Sequence, residues 1–126
     1  MKVYIAAPYQ MRAEAKAFAS ELSSHGIGCT ARWVADDSSA EMNDEWARND
    51  LADVSAADAL VALNPSQWAS SGTGGRHVEF GFAYAINKPI VVLGDKTNIF
   101  HYLSDVVVTD SIVGVLLALS LIDRAA

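Results

Sequence analysis

Cysteine is almost missing from this 126-residue chain, in which Cys29 stands alone. One thiol forms no internal disulfide and no multi-cysteine zinc site, and it suits a reducing compartment. Basic residues are also scarce: nine Lys and Arg stand against fifteen Asp and Glu, for a formal net charge of −6. That balance argues against a nucleic-acid polymer as partner, because such proteins carry basic stripes. A small anionic ligand stays open if a few cations converge. Long apolar runs are lacking too. Ser111 to Ile122 is apolar but too short to span a bilayer, so no membrane partner is expected. Met1-Lys2 leads straight into a strand-like run without a charged-then-apolar leader. A cytoplasmic protein is the expectation. There are no repeats, low-complexity tracts or linkers. With 52% hydrophobic and 19% charged residues, the chain reads as one globular domain over residues 1–126.

What is present alternates between strand and helix. Lys2 to Ala7 is β-rich and ends at Pro8. Gln10 to Ser24 has helical spacing, with Ala13, Ala17, Phe18 and Leu22 on one face, and Gly26 supplies its left-handed end. Ile27 to Val34 reads as a second strand, Asp36 to Ala40 as a polar loop, and Glu41 to Ser55 as a second helix with Leu51 and Val54 facing inward. Ala59 to Leu63 is a short apolar run, the third strand, started by Asp58 and ending near Asn64-Pro65. A helix around Glu79 follows, then the turn Asn87-Lys88-Pro89, a strand over Ile90 to Leu93 and a short one over Asp105 to Val108. Ser111 to Ile122 closes as a helix capped by Thr109 or Asp110. The alternation predicts an α/β fold, a three-layer sandwich of about five parallel strands, flavodoxin-like or Rossmann-like.

The stretch from Ser70 to Ala85 carries the chemistry. Ser71, Gly72, Thr73, Gly74 and Gly75 form a loop of small residues that lets a ligand reach bare backbone, between a buried strand and a helix. Open α/β sheets place ligands at such junctions. The loop is no P-loop, since Gly-x-x-x-x-Gly-Lys-Ser/Thr is absent, and His77 stands where a dinucleotide fingerprint needs its third glycine. Arg76 and His77 at the helix start strengthen an anion site. An ordinary connecting loop is the equal alternative from these residues alone. His77-x-Glu79 matches half of a zinc-deaminase signature, but the partner Pro-Cys-x-x-Cys is missing, so no metal is expected.

Glu79 is the sharper signal. Read in the first helical turn, it is stabilised as an anion by the helix dipole, the state a carboxylate nucleophile or base needs. A capping-box glutamate is the plain alternative, weakened because Arg76 rather than Ser or Thr stands three residues earlier. Asp50 sits on a helix among Ala, Leu and Val, with Arg48 nearby allowing a solvated face, while Asp58 before a strand is a common turn residue. Tyr4 lies in the first strand, and its hydroxyl needs a partner if buried. Trp33, Trp46 and Trp68 fall near loops or helix ends, where a ring can stack on a base or simply pack.

Together these pieces resemble the nucleoside 2-deoxyribosyltransferase superfamily, including the 2′-deoxynucleoside 5′-phosphate N-hydrolases. The resemblance is carried by Val3-Tyr4-Ile5-Ala6-Ala7-Pro8, by Asn49 to Ala62, by Gly75-Arg76-His77-Val78-Glu79-Phe80-Gly81-Phe82-Ala83 and by Asn87-Lys88-Pro89-Ile90-Val91. It implies Glu79 as the nucleophile at the anomeric carbon, Asp50 as the acid that helps the base leave or orients the sugar, and Tyr4 as the hydroxyl positioning Glu79. Two carboxyl groups about an oxocarbenium-like centre suit retaining displacement through a glycosyl-enzyme intermediate. The resemblance implies no cofactor, a small-molecule nucleoside or nucleotide as partner, and a homo-oligomer in which the neighbouring subunit completes each site. The segment it implies for that role is Asn98 to Tyr102, with His101 the best match.

The chain also departs from that pattern. Ala7-Pro8-Tyr9-Gln10 replaces the Gly-Ser-containing, arginine-bearing loop of the phosphohydrolases, while Ser71, Thr73, Arg76 and His77 are suited to phosphate. The resulting expectation is an N-glycosidase for (deoxy)nucleoside 5′-monophosphates. Alternatives are deoxyribose transfer between bases and a non-catalytic nucleotide-binding module, with a dinucleotide glycosidase ranked last. Trp33, Trp68 and Asp36-Asp37 are candidates for the base pocket.

Overall fold

A computed structural model describes residues 1–126. Five strands form one parallel sheet: β1 (Lys2–Ala6), β2 (Gly28–Cys29), β3 (Ala59–Asn64), β4 (Ile90–Gly94) and β5 (Val106–Thr109), in the spatial order β2-β1-β3-β4-β5. Four helices cover it: α1 (Arg12–Ser24), α2 (Asp44–Ala56), α3 (Gly75–Ala85) and α4 (Ile112–Ala125). Right-handed crossovers put α1 and α4 on one face and the mutually packed α2 and α3 on the other. The result is the three-layer, flavodoxin-like α/β sandwich expected from the alternation of elements. No helix is long and apolar enough to cross a membrane.

The central strands show why the sheet is parallel and doubly covered. All six residues of β3 are buried, as are Val3, Tyr4, Ile5 and Ala6 of β1 and Ile90, Val91 and Val92 of β4. Each buried aliphatic side chain contributes roughly 1.5–3 kcal/mol. β1 pairs with β3 from Val3 opposite Ala59 to Ala6 opposite Ala62, which brings the chain segments after Ala6 and after Asn64 to the same end of the sheet. There the strand order reverses, since β1 is followed in space by β2 on one side and β3 on the other. A crevice opens at such a point.

Several expected boundaries shift, each for a physical reason. The second strand is only Gly28–Cys29, not Ile27 to Val34, because Arg32–Val34 coil into a 3-10 turn drawn toward α2. Asp37–Ala40, expected as loop, is another 3-10 turn, with the Asp36 carboxylate accepting from the Ser38 amide at 2.9 Å. α2 starts at Asp44 rather than Glu41, where Asn43 caps it by accepting from the Trp46 amide at 2.8 Å. α4 is capped by Ser111, not Thr109 or Asp110. On α1 the buried stripe is Ala15, Phe18 and Leu22, continuing Met11, while Ala13 and Ala17 face outward. On α2, Leu51 is 37% exposed and the acidic Asp53 is buried in its stead beside Val54.

The ends of β3 and β4 are locked together. Gly94 adopts φ +134°, and a Cβ there would overlap the Asn64 carbonyl, so only glycine fits. The buried Asn64 amide donates to the Asp95 carbonyl at 2.7 Å and to Thr97 Oγ1 at 2.9 Å. These bonds tie the end of β3 to the segment that follows β4.

Candidate active site

A cavity of about 300 Å³ occupies the crevice between the segments after β1 and β3. Ala7, Pro8, Tyr9 and Gln10 form one wall, and Ser71, Gly72, Thr73, Gly74, Gly75 and Arg76 form the opposite one. Trp33, Ser39, Ala40 and Met42 close a third side, and Glu79 reaches the interior. Of the expected binding residues, Pro8, Trp33, Arg76 and the whole Ser71–Gly75 loop thus line one cavity. Gly74 caps α3 with φ +92°, a left-handed conformation open to glycine, and a Cβ on Gly74 or Gly75 would meet only open space. No side chain caps α3; the His77 amide donates to the Gly74 carbonyl at 3.0 Å, which leaves the Gly75 and Arg76 amides for a ligand.

Glu79 lies in the second turn of α3, five residues after Gly74, and not in the first turn. Its chemistry is accordingly set by burial more than by the helix dipole. The wholly buried Tyr4 donates its hydroxyl to Glu79 Oε2 at 2.7 Å. Burial pushes the Glu79 carboxyl up to about 8; the Tyr4 bond pulls it down, while Asp50 raises it further. Burial likewise pushes Asp50 up to about 6, assisted by the charge of Asp53 and opposed by Glu79 and Arg32. Tyr4 is held far above the ordinary phenol range by burial and the two nearby carboxyls, so it stays a donor.

Asp50 stands outside the cavity lining, behind Glu79, and its buried Oδ1 has no donor from the protein. The pair shares one proton around neutral pH, and burial gives Glu79 the stronger hold on it. One carboxylate and one carboxylic acid side by side are what a displacement at a sugar carbon requires.

Arg76 is 8% exposed and has no carboxylate partner. Its NH2 donates to the carbonyls of Ala69 at 2.7 Å and Trp68 at 3.3 Å, its Nε to His77 Nε2 at 3.3 Å, and its NH1 to nothing. Trp68, a base-pocket candidate, thus supports Arg76 through its carbonyl and is not in the lining, and Asp36 and Asp37 are likewise displaced by Ser39, Ala40 and Met42. Trp33 donates its indole N–H to the Ile5 carbonyl at 2.9 Å and lies 6.2 Å from the Tyr9 ring, a packed wall with one face toward the cavity. Trp46 is buried in the core.

His77 and His101 fall on the other flank of Arg76, around a small void with Asn64 and Phe80. His101 is 3% exposed, packs edge-on against Phe80, and accepts from the Thr97 and Asn98 amides at 3.0 and 3.3 Å. The structure does not bring it into the cavity of its own chain. Tyr9, Gln10, Ser39 and Met42 line the cavity without having been singled out as binding residues in the sequence; only the fold brings them there. No group of three or more His, Cys, Asp or Glu is arranged to hold a metal.

Residues 3–112 match the family model described as nucleoside 2-deoxyribosyltransferase. The chain belongs to that family. It is therefore an enzyme acting on nucleosides or nucleotides, a glycosidase or a transferase. Among solved structures, that of Clostridium botulinum CMP N-glycosidase, BcmB, superposes with a TM-score of 0.61 at 21% sequence identity, over 96% of this chain and 99% of that one. At that identity the likeness speaks for the fold. No curated protein matches the chain. The deoxyribosyltransferase family match spans β1 to the start of α4, and so includes Tyr4, Asp50, Glu79 and the whole cavity lining.

Proposed function

We propose that this deoxyribosyltransferase-family enzyme is an N-glycosidase that cleaves the base–sugar bond of (deoxy)nucleoside 5′-monophosphates through a glycosyl ester on Glu79. The observation that carries the reading is the 2.7 Å bond from Tyr4 to Glu79 Oε2, with Asp50 alongside. Tyr4 occupies one carboxylate oxygen and leaves Oε1 for the anomeric carbon. The single proton of the pair passes from Glu79 to Asp50 as Glu79 becomes the nucleophile, and as the Glu79–C1′ bond forms and the C1′–N bond breaks, the base departs with it. Asp50, now ionised, then takes a proton from water, which attacks C1′ and releases Glu79. An acceptor base taking the place of water gives transfer, so deoxyribosyl transfer is the second reading, on the same intermediate.

The 5′-phosphate is supported by Arg76, a buried cation with NH1 free, together with the bare α3 amides. The homo-oligomer implied by the family resemblance has a surface on which to form. Val113, Leu117 and Leu121 recur every four residues on α4 and are 61–64% exposed. A second copy of this chain is the proposed occupant.

The test is chromatographic. Protein is incubated with ribo- and deoxynucleosides and their 5′-monophosphates, with and without an acceptor base, beside Glu79→Ala. Free base from the monophosphates, absent with the variant, is expected. Products only when an acceptor is present move the reaction to transfer, and base release that survives in Glu79→Ala overturns the nucleophile.

A further inference from the structure

Arg12, the first residue of α1, lies outside the cavity lining yet touches three segments that meet at its rim. Its Nε donates to the Trp33 carbonyl at 3.2 Å, and its NH2 lies 3.0 Å from Asp37 Oδ1. Its guanidinium stands over the Tyr9 ring, 5.9 Å from the centre, and that ring is 6.2 Å from the ring of Trp33. Tyr9 belongs to the segment after β1, Trp33 to the 3-10 turn after β2, and Asp37 to the next turn, which leads on to Ser39 and Ala40 in the lining. The Trp33 turn has further ties. Its indole N–H donates to the Ile5 carbonyl at 2.9 Å, and its carbonyl also accepts from Ser39 Oγ at 2.9 Å. One residue earlier, the Arg32 amide and guanidinium donate to the buried Asp53 carboxylate of α2, at 3.0 and 2.9 Å.

We propose that Arg12 is a positioning residue: it holds the Tyr9 and Trp33 rings together as one preset wall for the flat ring of the base. This rests on the nucleotide reading given above. The wall faces the Ser71–Arg76 side of the cavity, where the phosphate is placed, so the two ends of a nucleotide meet different surfaces. A base that stacks on fixed aromatic rings gains their contact area without first having to order them. Tyr9 is 41% exposed, so its place depends on what its ring touches. Arg12 alone reaches the Tyr9 ring, the Trp33 backbone and the Asp37 turn together. The planar guanidinium suits that task, for its Nε, its NH2 and its face act at once, whereas a lysine ammonium is a single point charge. Arg12 has no contact with Glu79, Asp50 or Tyr4, so its effect falls on substrate binding and not on the displacement.

The test reads Trp33 first without substrate. The three tryptophans give three indole N–H signals in proton–nitrogen NMR, assigned with Trp33→Phe and Trp68→Phe. In Arg12→Gln the Trp33 indole N–H is expected to exchange with solvent about 10-fold faster or more, while that of Trp46 in the core keeps its rate. Arg12→Lys should fall between parent and Arg12→Gln. Unchanged exchange at Trp33, or equal acceleration at Trp33 and Trp46, overturns the proposal, the second because it marks general loosening. Should Arg12→Gln not fold, Arg12→Lys, which keeps the charge, is read by the same criteria. With nucleoside 5′-monophosphates, Arg12→Gln is expected to raise KM about 3- to 10-fold and nearly keep kcat. A loss confined to kcat overturns the proposal as well. A protein inactive on every nucleotide but with Trp33 selectively loosened would unseat the function and leave the Arg12 tie, while normal turnover with unmoved exchange would do the reverse.

Discussion

The Tyr4 hydroxyl, on the central strand β1, donates to Glu79 Oε2 across 75 positions of sequence at 2.7 Å, joining the sheet to α3. Tyr4 is wholly buried and Glu79 half-buried at the inner end of the cavity, so the bond is made largely out of water, where a donor to a carboxylate counts for most. It is the only contribution from β1 that favours the Glu79 anion, against burial and Asp50, which both oppose it.

Tyr4→Phe keeps the ring and removes that donor. Glu79 then holds its proton more tightly. Activity that depends on the singly protonated carboxyl pair is bell-shaped, with limbs expected near pH 6 and pH 8. In Tyr4→Phe the alkaline limb moves upward and kcat at its optimum falls by about 10- to 100-fold. A pH profile of kcat/KM checks both; a loss of rate with unmoved limbs would make Tyr4 a packing residue.

Burial of Glu79 also has a consequence for stability. Its carboxyl is raised from an ordinary 4.5 to about 8, so between these values the folded protein binds a proton that the unfolded chain has released. That contribution is complete below pH 4.5 and is lost as pH rises through about 8. Asp50, raised from 3.8 to about 6, acts with the same sign over a lower window. Glu79→Gln, which does not titrate, is expected to be more stable than the parent by about 1–3 kcal/mol at pH 9 and nearly equal at pH 4. Urea unfolding at the two pH values measures the difference. A larger gain at pH 4 than at pH 9 would contradict the assignment.

The residues proposed for the chemistry stand out by residue type and place. A tyrosine inside an apolar strand, an acid on a glycine-led helix and a second acid among aliphatic neighbours each break the pattern of their element. The layers followed from alternation, because β3 is too apolar for anything but a doubly covered strand. What escaped was set by long-range pairing. Val34 looks as β-prone as Ile27, yet the Asp53 carboxylate, 21 residues away from Arg32, takes the backbone amide that a longer β2 would have needed. Asp53 itself reads as one more helical acid until its partner is known. Glu79 falls in the second turn and not the first because Gly74, in the left-handed region, starts α3 at Gly75, two residues before His77.

The exposed α4 stripe gives a prediction about assembly. Val113, Leu117 and Leu121 lie on one side of the helix, opposite the buried Val115, Ala118 and Leu119. A charge at its centre, Leu117→Glu, is expected to turn an oligomer into a monomer without unfolding it, since the residue is 63% exposed. Sedimentation velocity on parent and variant reads this directly. A parent that is already monomeric would leave the stripe without the proposed occupant.

The phosphate reading turns on Arg76. Its guanidinium is buried with one nitrogen unpaired, and burial lowers its affinity for its own proton. An anion in the cavity would satisfy NH1 and offset that cost, as no carboxylate of the protein does. Arg76→Gln keeps a donor for the Ala69 carbonyl but removes the charge. KM for 5′-monophosphates is expected to rise about 10- to 100-fold, with kcat/KM for the matching free nucleosides nearly unchanged. Inorganic phosphate, a competitive inhibitor of the parent on this reading, should lose its grip on the variant. If both substrate series suffer alike, Arg76 acts by bracing the Trp68–Ala69 carbonyls and hence the loop. The phosphate must then be bound by the α3 amides alone, or the substrate is the nucleoside.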